Sequence, residues 1–256
     1  MSRFVAPLLL AFIFVVSPSI SADSEDGAKT QTIVVFGARG KIGRMIVTEA
    51  LERGHKVIGV SRKPGKLKFE SDNFSAQEGD VTDPESFRDL IEGVDSIAIS
   101  VGGNGEGNLP ELSVQARAAR TAVDVLADTP NAPYVVQIGG ATTMYGNKEA
   151  MLANLPMPAK EGSRMYGVFF GHRVALDVYE ASDIAWSVVA PPLKILGWSP
   201  WRISSKKRTG EYRTSTTALL RNADGESEIY VADLAVAVVD ELESRKFPQQ
   251  RFTVGY

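Results

Sequence analysis

The chain has 256 residues, of which 44% are hydrophobic and 23% are charged, and this composition suits one globular domain with a large core. The net charge of -3 indicates no broad basic surface, so we expect no nucleic-acid partner. The absence of cysteine excludes disulfides, cysteine nucleophiles and thiolate metal sites, and the two histidines are too far apart in the sequence to suggest a metal site.

The first 22 residues have the organisation of a secretory signal peptide. Arg3 precedes an apolar run over residues 4–16, and small residues then lead to an expected cleavage site near Ala22. We therefore predict an exported protein, periplasmic or secreted, from which residues 1–22 are removed. The alternative is an uncleaved membrane anchor, which is the only membrane association that the sequence suggests. Residues 23–31 are polar and acidic, which predicts a disordered linker.

Three glycines follow the apolar, β-branched run Thr32–Phe36 at the spacing G-x-x-G-x-x-G. We predict a strand over this run, then a tight turn, then a helix over Lys41–Arg53. The first glycine permits the turn, the second lets the backbone approach a phosphate, and the third lets the helix pack on the strand. Unpaired amides and the helix dipole then favour the pyrophosphate of a dinucleotide. The pyrophosphate is predicted to lie on Gly37, Gly40 and Gly43, and the residues between them, Ala38, Arg39, Lys41 and Ile42, are further predicted cofactor contacts.

The second predicted strand, Lys56–Val60, is followed by a serine and two basic residues and not by an acid. In a Rossmann fold this edge meets the adenosine ribose, where an acid favours NAD and a basic pair suits the 2′-phosphate of NADP. Arginine forms charge-assisted hydrogen bonds with phosphate oxygens, and Arg39 in the glycine turn can reach the same phosphate. We therefore predict that Arg39, Ser61 and Arg62 bind the 2′-phosphate. NADP(H) is the preferred cofactor, and NAD(H) is the alternative.

Short apolar runs alternate with amphipathic helical segments along the rest of the chain, which predicts βαβ units. The predicted fold class is α/β, a Rossmann-type doubly wound parallel sheet with a small C-terminal substrate lobe. The Rossmann domain is predicted to span residues 32–256, with residues 194–230 forming most of the lobe. Further strands are predicted at 74–77, 96–101, 134–138, 185–189, 228–231 and 251–254, and further helices at 83–92, 110–127, 163–181 and 233–243, the last capped by Asp233.

The carboxyl ends of the predicted parallel strands provide further candidate contacts with the cofactor, because these ends meet at one edge of the sheet. Residues 142–163 are predicted to form a long loop at this edge, where loops often carry binding surface. The candidates are Asp80 and Val81 after the third strand, Val101 and Gly102 after the fourth, and Gly139 and Gly140 after the fifth.

Seven segments of the chain carry a resemblance to a known family, namely 37–43, 79–83, 136–141, 186–192, 208–213, 230–237 and 250–256. They resemble the atypical short-chain dehydrogenase/reductases of the NAD(P)H-binding, NmrA-like kind. The chain is most similar to the group named NADH-flavin reductases, which are related to biliverdin-IXβ reductase. The resemblance implies a Rossmann fold and the use of NAD(P)H, and it leaves the reaction open. The signal-like N-terminus is not part of the family's usual pattern.

The resemblance does not extend to the usual proton relay of these enzymes, in which the lysine of a Tyr-x-x-x-Lys pair lowers the pKa of the tyrosine. Lys148 follows Tyr145 one residue out of register, and Phe170 stands where Tyr166 would need its lysine. The usual serine after the fifth strand is replaced by Gly139-Gly140. We therefore predict that the standard relay is absent.

Three functions remain open at this point. The first is an NAD(P)H-dependent oxidoreductase that transfers hydride to a small conjugated acceptor, such as a flavin, a quinone or a tetrapyrrole, which needs little acid catalysis. The alternative is a non-catalytic NAD(P)-binding regulatory or sensor protein, and the third is a sugar epimerase or carbonyl reductase. The sequence predicts no oligomeric state. The candidate catalytic residues are Tyr145 and Thr143, and the candidate substrate contacts are Tyr166, His172 and Trp198.

Overall fold

The structure is a computed structural model that describes residues 29–102, 109–154, 159–197 and 207–256. The predicted signal peptide and the substrate candidate Trp198 lie outside the described residues. No helix within the described ranges is long and apolar enough to cross a membrane.

The described part of the chain contains ten strands and six α-helices. The strands are β1 (Thr32–Phe36), β2 (Lys56–Ser61), β3 (Phe74–Glu78), β4 (Ser96–Ile99), β5 (Tyr134–Ile138), β6 (Trp186–Ala190), β7 (Lys194–Leu196), β8 (Arg213–Ser215), β9 (Glu228–Tyr230) and β10 (Gln250–Gly255). The helices are α1 (Lys41–Glu52), α2 (Pro84–Leu90), α3 (Val114–Ala127), α4 (Lys148–Ala153), α5 (Arg164–Glu180) and α6 (Val231–Ser244).

Eight of these strands form one sheet in the order β3-β2-β1-β4-β5-β6-β10-β8. Neighbouring strands are parallel except for β10 and β8, which pair antiparallel. Strands β7 and β9 pair with each other in a second, two-stranded sheet. The order runs outward from β1 to β3 and then continues from β4 on the other side of β1. In open α/β sheets, such a reversal creates a crevice at the carboxyl ends of the strands that holds ligands.

Successive side chains of a strand point to opposite faces of the sheet. In the central strands of the main sheet, the side chains on both faces are buried. In β1, Ile33 and Val35 belong to a core shared with α1 and α6. Val34 and Phe36 belong to a second core, shared with α2, α3 and α5. Helices therefore cover both faces of a mostly parallel sheet, and the predicted Rossmann-type α/β fold is confirmed.

The prediction that Asp233 caps the last helix is wrong. Helix α6 begins at Val231, its N-cap is Tyr230, and Asp233 lies in its first turn. The Asp233 carboxylate is buried and accepts hydrogen bonds from the amide and hydroxyl of Thr209 and from the hydroxyl of Tyr256. Asp233 therefore joins α6 to two distant segments, which the local capping pattern does not reveal.

Two segments for which the sequence analysis predicts no strand or helix contain regular structure. Within residues 194–221, β7 pairs with β9, and β8 pairs with β10 of the main sheet. Part of the predicted substrate lobe therefore belongs to the main sheet. Residues 142–163 do not form one continuous loop, because they include most of a 3₁₀ turn over Ala141–Met144 and helix α4. Strands β7 and β8 depend on partners far away in the sequence, so their local composition does not show them.

The predicted linker ends before Gln31. The Gln31 amide donates to Nδ1 of His55 at 3.1 Å, and its side-chain nitrogen donates to the Leu242 carbonyl at 3.2 Å. Its side-chain oxygen accepts from the Ser96 hydroxyl at 2.8 Å. Gln31 is polar like the linker, but these bonds make it part of the folded region.

Candidate functional site

The glycine turn between β1 and α1 leaves no room for a side chain at two of its three glycines. Gly37 has a φ of +80°, and a Cβ there would lie 2.2 Å from the carbonyl oxygen of Ser100. A Cβ on Gly43 would lie 2.2 Å from the carbonyl oxygen of Gly37. Gly40 differs, because its Cβ would lie 3.1 Å from the same oxygen and its φ of -66° suits any residue. Gly37 and Gly43 therefore shape the turn, while Gly40 is exposed at the start of α1.

Helix α1 begins without a side-chain cap. No described side chain hydrogen-bonds to its N-terminal amides as a cap, and its first turn contains no acidic residue. The first amides of a helix have no partner inside the helix, and the helix dipole is positive at this end. The start of α1 therefore fits an anionic group such as a pyrophosphate. By contrast, side chains cap α2, α3, α4 and α5, namely Asp83, Ser113, Asn147 and Ser163.

The glycine turn lies against the carboxyl end of β2. The amides of Gly37 and Ala38 both donate to the Val60 carbonyl, at 3.2 and 3.3 Å. Arg39 in the turn and Arg62 just after β2 are exposed, and neither side chain forms a hydrogen bond or ion pair with any described residue. Two guanidinium groups are therefore available at the edge where the sequence predicts the 2′-phosphate.

The other candidates at the ends of β2 and β3 are partly engaged in internal contacts. Ser61 pairs in register with Glu78 of β3, so this edge also carries one exposed carboxylate. One oxygen of Asp80 accepts from the amide and hydroxyl of Thr82, at 2.9 and 2.8 Å. Val81 is buried in the core beneath the sheet edge. For Val81, only the backbone is therefore available to a ligand.

The end of β4 lies directly beside the glycine turn. The Ser100 amide donates to the Phe36 carbonyl at 2.9 Å, and a Cβ on Gly37 would lie 3.3 Å from Cγ1 of Val101. Gly102 is exposed, and no atom of the other described residues lies within 4 Å of where its Cβ would be. The structure therefore brings Val101 and Gly102 to the crevice together with the glycine turn.

The two glycines after β5 have different surroundings. A Cβ on Gly139 would lie 2.6 Å from Cγ1 of Val188, so this glycine allows β5 and β6 to pack. A Cβ on Gly140 would lie 2.9 Å from Cδ2 of His172, so the imidazole ring occupies that space. Thr143 is fully buried, and its hydroxyl donates to the Gly140 carbonyl at 2.7 Å. The Thr143 hydroxyl proton is therefore engaged with the backbone in this structure, and the catalytic role of Thr143 stays a prediction.

Arg251 on β10 supports the 3₁₀ turn that follows β5. Its guanidinium donates to the Thr143 carbonyl, while its buried Nε has no hydrogen-bond partner in the described chain. Burial, together with the nearby charge of Arg173, lowers the pKa of Arg251 below its usual range. The sequence gives no signal for this contact, because the two residues are 108 positions apart.

Tyr145 and Tyr166 lie in one small cluster with Phe170, whose ring stacks on that of Tyr166 at a centroid distance of 4.3 Å. Lys148, the first residue of α4, places its Nζ 5.6 Å from the centroid of the Tyr166 ring. Hydrogen bonding to the Tyr166 side chain and the charge of Glu161 raise the pKa of Lys148. A tyrosine and a lysine therefore meet in space although the chain lacks the Tyr-x-x-x-Lys spacing.

His172 and Gln115 form a polar pair beside Gly140. Their Nε2 atoms are 3.5 Å apart, at the outer limit of a hydrogen bond. Burial lowers the pKa of His172 to about 4, so its ring is neutral at pH 7. The backbone carbonyl of Gln115 accepts from Nε2 of Gln137 at 3.2 Å, which fixes the start of α3 on β5. The sequence analysis missed Gln115, because nothing near it in the chain indicates that it contacts His172.

A family model described as NAD(P)H-binding matches residues 37–245 of this chain. The uncharacterized protein YwnB of Bacillus subtilis is 27% identical to it over 233 residues, which cover 87% of this chain and 97% of YwnB. Both matches include the glycine turn and most of the strands described above.

Solved structures share the fold over nearly the whole described chain. One is a "putative exported protein" from Burkholderia pseudomallei, which is 28% identical, with a TM-score of 0.68 and coverage of 89% of this chain and 100% of that chain. Another is a "putative NADH-flavin reductase" from Streptococcus pneumoniae, at 24% identity and a TM-score of 0.70, covering 88% and 99%. A third is a "putative epimerase" from Bacteroides thetaiotaomicron, at 24% identity and a TM-score of 0.72, covering 89% and 98%.

Proposed function

Because this chain belongs to the NAD(P)H-binding family, we propose that it is an NAD(P)H-dependent oxidoreductase that reduces a small conjugated acceptor, such as a flavin or a quinone. The observation that carries the proposal is the uncapped start of α1 below the glycine turn. This helix end lies where the strand order reverses between β1 and β4, which is the usual place for a nucleotide in an open α/β sheet.

In this proposal the chain binds and orients the cofactor mainly through its backbone. The turn Gly37–Gly43 and the start of α1 hold the pyrophosphate, and Gly102 leaves space at the end of β4. Bound NAD(P)H supplies a hydride to the acceptor. The 3₁₀ turn after β5, fixed by Arg251, closes the far side of the crevice and limits access of water to the reacting groups.

We propose NADP(H) as the preferred cofactor. Arg39 and Arg62 are exposed cations without a partner in the described chain, and both follow strands whose ends touch the glycine turn. Ser61 adds a hydroxyl group at the same edge. The exposed carboxylate of Glu78 at this edge would repel the 2′-phosphate. The positive charges of the two arginines would attract it and exceed the single negative charge of Glu78.

The choice of acceptor follows from the acid groups near the crevice. Thr143 has its hydroxyl engaged, which supports an acceptor that takes hydride without a strong protein acid. A second candidate, a carbonyl reductase or epimerase, is favoured by Tyr166 beside Lys148, because such a pair can transfer a proton. The names of two proteins that share the fold, a reductase of flavin and an epimerase, correspond to these two candidates.

We also propose that the protein is exported. Residues 1–22 have the pattern of a signal peptide, and a structural relative at 28% identity is named as an exported protein. Cell fractionation and the mass of the mature chain test this proposal. A chain that keeps its first 22 residues and stays with the membrane would indicate an anchor instead.

The decisive experiment for the activity is a turnover assay on the chain that starts at residue 23. NADPH or NADH is mixed with flavins, quinones and simple carbonyl compounds, and oxidation of the cofactor is followed by its absorbance. Turnover with flavin or quinone supports the proposal, and turnover restricted to carbonyls supports the second candidate. Tight binding without any turnover indicates a non-catalytic regulator, and no binding of either cofactor overturns the proposal.

A further inference from the structure

Two polar atoms beside the crevice lack hydrogen-bond partners. Oε1 of Gln115 and Nδ1 of His172 are buried, and neither has a partner in the part of the chain that the structure describes. Gln115 is fully buried as a whole residue. Because burying an unpaired polar group costs free energy, such atoms are rare, and a missing ligand is one explanation for them.

In the orientation that the structure gives the Gln115 amide, its contact with His172 assigns the proton of the ring to one nitrogen. Nε2 of Gln115 is an amide nitrogen and can only donate, so the facing Nε2 of His172 accepts. The ring is neutral, because burial lowers its pKa. The proton of a neutral ring with an accepting Nε2 is on Nδ1. The pair therefore offers a ligand one donor, Nδ1–H of His172, and one acceptor, Oε1 of Gln115.

The pair lies beside the carboxyl end of β5. The His172 ring packs on Gly140, two residues after β5, and fills the space that a Cβ on Gly140 would need. Gln115 is the second residue of α3, the helix that follows β4 in the chain. The nicotinamide end of a dinucleotide that begins at the glycine turn reaches this side of the sheet. The pair therefore lies at the carboxyl end of β5, on the side of the sheet where the proposed function would bring cofactor and acceptor together.

We propose that His172 and Gln115 together bind an amide or imide group of a ligand, whose carbonyl accepts from Nδ1–H and whose N–H donates to Oε1. This inference rests on the proposed function. Two ligands of that reaction carry such a group, namely the carboxamide of the nicotinamide and the imide edge of a flavin. A quinone has carbonyl groups but no N–H, so it can satisfy only one of the two atoms.

The tautomer of His172 can be measured without any ligand. The chain has two histidines, and His55 serves as an internal reference. Nδ1 of His55 accepts from the Gln31 amide, so its proton is on Nε2, which faces Glu243 at 2.7 Å. We expect ¹⁵N spectra at neutral pH to show the two histidines as opposite tautomers. Finding the proton of His172 on Nε2 would overturn the assignment of donor and acceptor.

Ligand pairs that differ in one group identify which amide is bound. For the cofactor, NADPH is compared with 2′-phospho-ADP-ribose, which lacks the nicotinamide. For the acceptor, lumiflavin is compared with N3-methyllumiflavin, which lacks the imide N–H. The variants are His172→Leu, Gln115→Met and His172→Asn, in which the amide nitrogen of asparagine replaces Nδ1–H. Thermal unfolding confirms that each variant is folded.

In one of the two ligand pairs, we expect His172→Leu and Gln115→Met to weaken binding of NADPH or of lumiflavin by about tenfold or more. Binding of the matching analogue should not change, because a site built for hydrogen bonds discriminates strongly. A change confined to NADPH identifies the cofactor carboxamide, and a change confined to lumiflavin identifies the acceptor imide. His172→Asn should retain most of the affinity. Folded His172→Leu with wild-type constants for all four ligands would overturn the inference.

Failure of the proposed function gives a different result. If the wild type oxidises no cofactor, the reductase proposal fails, and titrations of the ¹⁵N-labelled protein with nicotinamide and lumiflavin still test this site. A shift of the His172 resonances with either compound, and not with N3-methyllumiflavin, supports the inference. Unchanged His172 resonances with both compounds overturn it.

Discussion

At the scale of single residues, the three glycines of the turn after β1 differ in what they tolerate. Gly37 and Gly43 approach backbone atoms so closely that any side chain there must distort the turn. Gly40 is exposed and has an ordinary extended conformation at the N-cap of α1. A Cβ on Gly40 would lie 3.1 Å from the Gly37 carbonyl oxygen, so a substitution there requires only a small shift of the turn and should separate ligand binding from folding.

We predict that Gly40→Asp weakens binding of NADPH while the protein stays folded. Aspartate is a favoured N-cap residue, so it should cap α1, and its charge then repels the pyrophosphate. The dissociation constant for NADPH, measured by calorimetry, should rise by more than about tenfold. Gly40→Ser is the matched control, because serine also caps but carries no charge. Wild-type affinity in a folded Gly40→Asp protein would contradict the pyrophosphate site.

We predict that Arg62→Glu weakens NADPH binding far more than NADH binding, because only NADPH carries the 2′-phosphate. The loss for NADPH should be about tenfold or more, while the constant for NADH should change by less than about threefold. Lys56→Glu is the matched control, since Lys56 is exposed at the opposite end of the same strand, β2. Equal losses for the two cofactors would rule out the proposed contact with the 2′-phosphate.

At the scale of secondary-structure elements, α5 joins the two candidate parts of the substrate site. Tyr166 in its first turn contacts the cluster next to α4, and His172 farther along packs on Gly140. Helix α4 brings Lys148 to Tyr166, so the pair depends on how the two helices pack. Their arrangement decides whether the protein can supply a proton, and this separates the two enzyme candidates.

We predict that Lys148→Gln keeps turnover with flavin within about twofold of the wild type, because general acid catalysis, which is worth roughly 100-fold or more where it is used, is not needed for this acceptor. Tyr166→Phe should behave in the same way. The control is Lys160→Gln, because the Lys160 side chain is exposed. The rate constant kcat of each test variant is compared with that of this control. A loss of about 100-fold in both test variants would favour the carbonyl reductase or epimerase.

At the scale of the whole molecule, a charged network connects α1, α6 and the segment that starts at residue 207. Arg208 donates to both oxygens of the buried Glu49 at 2.7 Å, and Arg53 donates to the same carboxylate at 2.8 Å. Arg53 also pairs with Asp240 and Glu243 of α6. The network lies on the face opposite α3 and α5, so it can affect stability without contacting the crevice.

We predict that Glu49→Gln lowers the free energy of unfolding by about 1–3 kcal/mol at pH 7. Burial alone would raise the pKa of Glu49, but the hydrogen bonds of Arg208 and Arg53 hold it below its usual value of 4.5. A carboxyl group with a lowered pKa stabilises the fold above its unfolded pKa, and this contribution is lost as the pH falls through the folded value. Urea unfolding should therefore show a difference at pH 7 that shrinks in acid.

The control for this prediction is Glu52→Gln, on the exposed part of the same helix. Its unfolding free energy should stay close to that of the wild type at both pH values. A difference between Glu49→Gln and the wild type that is the same in acid and at pH 7 would contradict the charged role of Glu49.

Local sequence signals predicted most of the sheet. The runs Thr32–Phe36 and Tyr134–Ile138 are strands with the predicted bounds, because each is apolar, β-branched and followed by glycine. By contrast, β8 is the polar tripeptide Arg213–Ser215, and only its pairing with β10 makes it a strand. A short strand without apolar alternation has no signal of its own.

By itself, the sequence determined the α/β class, the glycine turn with its helix, and membership of a nucleotide-binding family, because those properties depend on residues that are neighbours in the chain. The tertiary structure alone decided that Thr143 is engaged with Gly140, that Lys148 lies beside Tyr166, and that Gln115 contacts His172. Each of the last two contacts joins different helices, and the first depends on how the chain turns after β5. Side-chain partners of this kind follow from the packing of helices on the sheet, which no spacing along the chain encodes.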